Sequence, residues 1–160
     1  MPLTDRLPTG ALRVFLRAPI VVYRAGLGGV FGHRLLYLAH QGRKTGRRRE
    51  AVLEVVGYDS AIPEVFVVAG WGELSDWYRN ITAAPALEVR LGGQRWPHPR
   101  HRLPTVEEKV LILKAYRDRH PRAWRRVAPM MGLPADPESA AAREHLRRIP
   151  AVAFSPAKES

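Results

Sequence analysis

The stretch HQGRKTGRRRE, His40 to Glu50, puts five cations (Arg43, Lys44, Arg47, Arg48, Arg49) and two glycines into what reads as a turn. Glycines bracketing a turn let backbone N–H groups converge on an anion. Arginine adds planar, bidentate hydrogen bonds to such a group, and lysine adds a point charge. The run is not a nucleotide-triphosphatase phosphate loop. That motif needs G-x-x-x-x-G-K-[ST] ahead of a helix, and here a strand follows. Three readings stand: a solvated hairpin turn, a nucleic-acid patch, or a grip for a small polyanion. Against nucleic acid, neither interleaved aromatics nor a recognition helix accompanies the run.

Other candidate chemistry is weaker. His98 and His101 form the one close histidine pair. Three residues apart on a strand they would point to opposite faces, so no metal site is expected. His33, His40, His120 and His145 are isolated, and no G-x-S-x-G elbow occurs. Glu73 and Asp76 fit the acid-rich first turn of a helix better than a catalytic carboxylate pair. Gly26-Leu27-Gly28 fails as a dinucleotide fingerprint because Phe31 takes the last glycine position.

The elements that must carry the turn come next. A chain of 160 residues, 46% hydrophobic and 26% charged, suits one folded domain. Its net charge of +11 favours an anionic partner. There is no cysteine, which removes disulfides, thiol catalysis and cysteine-bound metals. No apolar run approaches the ~20 residues of a spanning helix, and MPLTDRLPTG lacks the features of a signal peptide. A cytoplasmic protein is expected.

Residues 10–31 mix apolar clusters with Arg13, Arg17 and Arg24. They read as an amphipathic N-terminal helix, broken near Pro19 and ending in a glycine-rich turn, that packs on the body or lies at a membrane surface. Strand signals follow at 34–40, 51–58, 64–70 and 86–91, then a Gly92-Gly93 hairpin leads into 92–101. A short helix falls in ELSDWYRNITAA. Strands so closely spaced predict an antiparallel sheet closing into a barrel, in an α+β fold. Thr105 and Glu108 form a capping-box pattern at the start of a helix over 105–120. A proline-broken connection precedes a helix over 138–149, and PAVAF supplies a last strand. The division is thus 1–32 as N-terminal helix and turn, 33–155 as barrel domain, and 156–160 as tail.

GRKTGRRR resembles the G-R-K-[ST]-G-x-x-R signature of the deazaflavin-dependent nitroreductase family, whose coenzyme is F420. VVAGWGELSDWYRNITAAPALEVRL is similar to that family's strand, glycine-rich turn and W-Y-x-N-L-x-A-x-P segment, with Trp77, Tyr78, Asn80, Ala83 and Pro85 in place and Ile81 for Leu. RRIPAVAFSP is similar to its closing strand. The likeness spans about residues 30 to 155 and implies a split β-barrel of the FMN-binding kind.

F420 carries a phosphodiester and a chain of glutamates, which would explain the positive charge. The resemblance assigns Arg43, Lys44, Thr45 and Arg49 to the phosphate and proximal tail. It lays Ala69, Gly70, Trp71 and Gly72 against the deazaflavin ring and makes Trp77, Tyr78 and Asn80 the wall beside it. Core packing is the alternative for Trp77 and Tyr78, and capping of a backbone group for Asn80. FMN is the rival cofactor, because this barrel type serves both. The resemblance implies hydride transfer to a lipophilic acceptor such as a quinone or a nitroaromatic compound. A non-catalytic carrier of cofactor or lipid is the alternative. No proton donor stands out among Tyr37, Tyr58, Tyr78 and Tyr116. Segment 10–31 would suit peripheral contact at the inner face of a membrane, and a homodimer is compatible with the pattern. The sequence departs from the family where Gly70 replaces a serine and the turn before Trp77 is shortened.

Overall fold

Leu35–Gln41 forms strand β1, and its five central residues are buried on both faces. Leu36 and Leu38 point one way into the barrel interior, while Tyr37 and Ala39 pack on the other side with Val52 and Leu87. The computed structural model describes residues 32–69 and 75–159 of the chain. The expected helix over 10–31 and the expected ring contacts Gly70, Trp71 and Gly72 lie outside the described residues.

β1 pairs antiparallel with β2 (Arg48–Asp59), in a register running from Leu35 opposite Glu54 to Gln41 opposite Arg48. β2 is 12 residues long and serves both halves of the sheet. Its register against β3 (Glu64–Val68) shifts between Val55 and Gly57, an irregularity that bends the strand. One consequence is visible in packing. Val55 joins the barrel interior and the next residue, Val56, joins the helix-covered outer core. The remaining strands are β4 (Glu88–Leu91), β5 (Gln94–Pro97), β6 (Arg100–Arg102) and β7 (Ala151–Ser155). Their order is β5-β4-β1-β2-β3-β7-β6, with every neighbouring pair antiparallel. The sheet curls round a core shared by Leu36, Leu38, Val67, Val89, Trp96 and Phe154, a split β-barrel in an α+β fold.

Two details follow the sequence closely. Leu91 pairs with Gln94 across Gly92-Gly93, and Gly92 takes φ +57°, the left-handed conformation that such a two-residue hairpin requires. Thr105 caps α2 (Val106–Arg119): its side chain accepts from Glu108 N at 3.2 Å, and the Glu108 carboxylate accepts from Thr105 N at 2.7 Å. The first helix, α1 (Asp76–Ala83), is shorter than its sequence signal and lies beside β1.

Two expectations need correcting. The proline-broken connection after residue 120 contains a helix, α3 (Pro121–Met130). Pro121 stands at its first turn, where no N–H is needed and the fixed φ suits a helix. The run 92–101 is not one strand. It splits into β5 and β6 at His98, which has φ +48°, and β6 pairs with β7. The last helix, α4 (Ala140–Leu146), is anchored from α2, because Lys109 Nζ donates to the Leu146 and Ile149 carbonyls at 2.8 Å each.

Replacing Thr105 with Ala removes one arm of the capping box. Urea unfolding should report a loss of about 1 kcal/mol.

Candidate functional site

The β1–β2 connection is a closed turn. Gly42 N donates to Arg47 O and Gly46 N to Gly42 O, both at 2.8 Å. Thr45 Oγ1 accepts from Arg47 N at 3.2 Å. Gly46 sits at φ +71°, where a side chain would be strained. At Gly42 the constraint is space. A Cβ there would lie 2.9 Å from Thr45 Oγ1 and 3.6 Å from Arg49 Nε, so the Arg49 side chain leans over the start of the turn. Lys44, Thr45 and Arg49 are exposed and Arg43 is half-buried.

Strand alternation sorts the arginines. Arg48 faces the outer side of the sheet, where its guanidinium reaches the Tyr37 hydroxyl at 3.3 Å. There it also approaches Glu88 at 3.9 Å. Arg49 points the opposite way, toward the side of His40.

Helix α1 is tied to the turn through Asn80 and, at its first residue, Asp76. Asn80 Oδ1 accepts from Arg43 N at 3.1 Å and from Arg43 Nη1 at 2.9 Å. The same guanidinium lies 3.3 Å from Asp76 Oδ1. Asn80 is buried, and its Nδ2 is 3.0 Å from Nδ1 of buried His40. Burial pushes the His40 pKa down to about 4; Asp76 opposes this and Arg49 adds to it. Ser75 Oγ, buried at the N-cap of α1, has no hydrogen-bond partner among the described residues. Sequence reasoning singled out neither His40 nor Ser75 as part of the site.

The other expected residues are placed as follows. Ala69 is buried at the end of β3, and its N–H donates to Pro150 O at 2.8 Å. Trp77 lies in the barrel core, with its ring edge-on to that of half-buried Tyr78 at 6.1 Å. Of the four tyrosines weighed as proton donors, three are engaged elsewhere. Tyr37 is held by Arg48, and Tyr58 stacks on His33 at 4.4 Å. Tyr116 donates to Glu54, and burial, with Glu54, raises its pKa above that of an ordinary phenol. Tyr58 and Tyr116 line a cleft of about 450 Å³ at the end of β2 away from the basic turn. Tyr78 alone of the four is carried by α1. No group of three or more metal-ligating side chains occurs among the described residues.

A closed, glycine-bracketed turn carrying cations between the first two strands of a split barrel suits a ligand with a phosphate and an acidic tail. This is the coenzyme class of the deazaflavin reductases. Residues 17–129 match the family model described as F420H(2)-dependent quinone reductase, and the chain belongs to that family. It is an F420H2-dependent reductase, with coenzyme F420 as its cofactor. Among solved structures it is similar to an F420-H2 dependent reductase, FDR-A, at 19% identity and TM-score 0.52, covering 78% of this chain and 96% of that one. It is also similar to a chain solved as a domain-swapped dimer, at 17% identity and TM-score 0.50, covering 86% and 100%. At these identities the likenesses bear on the fold. No curated protein matches the sequence.

His40 gives the site a stability signature. Its pKa is about 4 when folded, against an ordinary 6.5, so the unfolded chain binds the extra proton. The contribution is complete above pH 6.5 and is lost as pH falls from there to about 4. Denaturant unfolding should show wild type losing about 2–3 kcal/mol more than His40→Phe over that window.

Proposed function

We propose that the turn 42–49 holds the phosphate and proximal glutamates of F420, and that the enzyme passes hydride to a lipophilic acceptor, a quinone first and a nitroaromatic compound second. The observation that carries this reading is the pairing of a rigid turn with outward cations. Lys44 and Arg49 are exposed, whereas the turn beneath them is closed by its own hydrogen bonds and tied to α1. A preorganised cationic turn loses little entropy when a polyanion docks.

Arg43 has two duties in this reading. Its backbone N–H and one guanidinium nitrogen are committed to Asn80, and its contact with exposed Asp76 is the part that an incoming phosphate can replace. Thr45 and Lys44 complete the cradle. The ring is assigned to buried Ala69 and to Gly70, Trp71 and Gly72 on the family likeness alone. Tyr78, half-buried against the core, is the wall residue in this reading, while Trp77 supports α1 from the core. When bound, the coenzyme supplies hydride from its central ring; the chain orients it and excludes water. Of the four tyrosines, Tyr78 is the one carried by α1, the helix tied to the turn, and this reading assigns it the proton given to the reduced acceptor.

Quinones partition into lipid, and the apolar, arginine-margined segment 10–31 suits peripheral contact at the inner face of a membrane. No described helix is long and apolar enough to cross one.

Fluorescence titration with F420 and, separately, FMN tests the grip. Wild type should prefer F420. Changing Arg43, Lys44 and Arg49 together to Ala should weaken F420 binding about a hundredfold or more, as expected for lost charge-assisted hydrogen bonds. Unchanged affinity would place the coenzyme elsewhere. Turnover by the F420H2-loaded enzyme with a short-chain quinone and a nitroaromatic compound then ranks the acceptors.

Asp76→Asn should tighten F420 binding about two- to fivefold, the equivalent of releasing one exposed ion pair. Weaker binding would show instead that Asp76 aims the guanidinium.

A further inference from the structure

His40 is buried, and its ring meets the Asn80 amide. A primary amide has one accepting end and one donating end. Both Arg43 groups that meet Asn80, the backbone N–H at 3.1 Å and Nη1 at 2.9 Å, are donors. The end of the amide facing the turn must therefore be Oδ1. Nδ2 is left facing His40 Nδ1 at 3.0 Å, so that ring nitrogen must accept and the imidazole proton must sit on Nε2. A proton on Nδ1 would set two donors against each other. Flipping the amide to relieve this would turn its NH2 group onto the N–H groups of Arg43. The hydrogen-bond pattern allows one tautomer and one amide orientation.

Burial holds the ring in that state, since a buried imidazole is disfavoured when charged. The charged groups around it are Asp76 from α1 and Arg49 from β2, with Arg43 reached through Asn80. In register His40 lies opposite Arg49, so the same strand pair carries the ring and one of the exposed cations.

We infer that His40 is a positioning residue for the coenzyme grip: its unprotonated Nδ1 orients the Asn80 amide, which fixes the backbone and guanidinium of Arg43 at the entry to the turn. This role rests on the reading of the basic turn as the phosphate grip. It gives His40 no contact with the coenzyme and no part in hydride transfer. Its effect falls on coenzyme binding rather than on the rate of the saturated enzyme.

Two measurements test it on the full chain. Imidazole ¹⁵N NMR of the coenzyme-free protein should show His40 neutral and protonated on Nε2 from pH 6 to 8, and Asn80→Ala should disturb that signature. F420 titrations would then compare wild type, His40→Phe, His40→Asn, Arg43→Ala and the His40→Phe/Arg43→Ala double variant. Phe keeps the buried ring without the acceptor, whereas the Asn carbonyl sits where Nδ1 was. His40→Phe should weaken binding about tenfold, the size expected for a coupled network. His40→Asn should restore most of the loss. In the Arg43→Ala background His40→Phe should cost nothing further, and in His40→Phe alone the loss should appear in KM for F420H2 rather than in kcat.

An Nδ1-protonated ring, unchanged binding in His40→Phe, or a full additive loss in the double variant would overturn the role. Failure of wild type to bind F420 at all would overturn the grip reading, and this role with it, even with the expected tautomer. A wrong tautomer alongside intact binding would overturn this inference alone.

Discussion

A single buried amide couples the parts of this site. Asn80 lies on a helix of only eight residues, a length too short to hold its own shape in water. What fixes α1 is packing of Trp77 and Ile81 into the barrel and the contact of Asn80 with the first turn after β1. A buried amide whose oxygen accepts from two donors still needs an acceptor for its NH2 group. Here that acceptor comes from β1 itself, two residues before Gly42. Helix, strand and turn thus meet at one side chain whose hydrogen-bonding capacity is used in one way.

The distribution of charge follows from the same geometry. Lysines and arginines number 26, which suggests a uniformly basic surface, but several of them sit against carboxylates. On the outer face Glu88 is buried among Arg48, Arg90 and Arg95. Burial alone would raise its pKa, but hydrogen bonds from Arg95 and Arg90 outweigh that and hold it below the ordinary carboxylate range. Arg102 is shared between Glu64 and Glu108. In the run 43–49, strand alternation sends Arg48 toward Glu88 and leaves Arg49 over Gly42. The positive field at the turn therefore comes from a few side chains held apart from carboxylates, in addition to the overall composition.

Features set by neighbours in the chain were legible in the sequence. The Gly92-Gly93 hairpin and the Thr105/Glu108 capping box depend on residues two or three positions apart, and both stand where the pattern put them. Contacts across long separations were not legible. His40 looked isolated because its partner is 40 residues away on a helix. β6 has three residues, two of them arginines, and becomes a strand only because β7 lies beside it. The α3 helix is hidden in the sequence because the prolines after residue 120 suggest a broken connection, although Pro121 stands at a helix start, where proline fits. For Trp77 the sequence leaves site wall and core packing open, and the side chain lies in the core. The family likeness of GRKTG and WYRN names Arg43 and Asn80 separately, but carries no information about the hydrogen bonds by which the Asn80 amide joins the turn to His40.

The corner at Pro97, His98 and Pro99 has a further consequence. It joins β5 to β6, the two strands at the ends of the described sheet. These are four and three residues long; Arg95, Arg100 and Arg102 are exposed on them, and Pro97 offers no N–H. Short, cationic, proline-marked margins are poor templates for a neighbouring chain. The curl of the barrel thus leaves its backbone least available where another molecule could add a strand, which guards a β-rich protein against fibrous self-association.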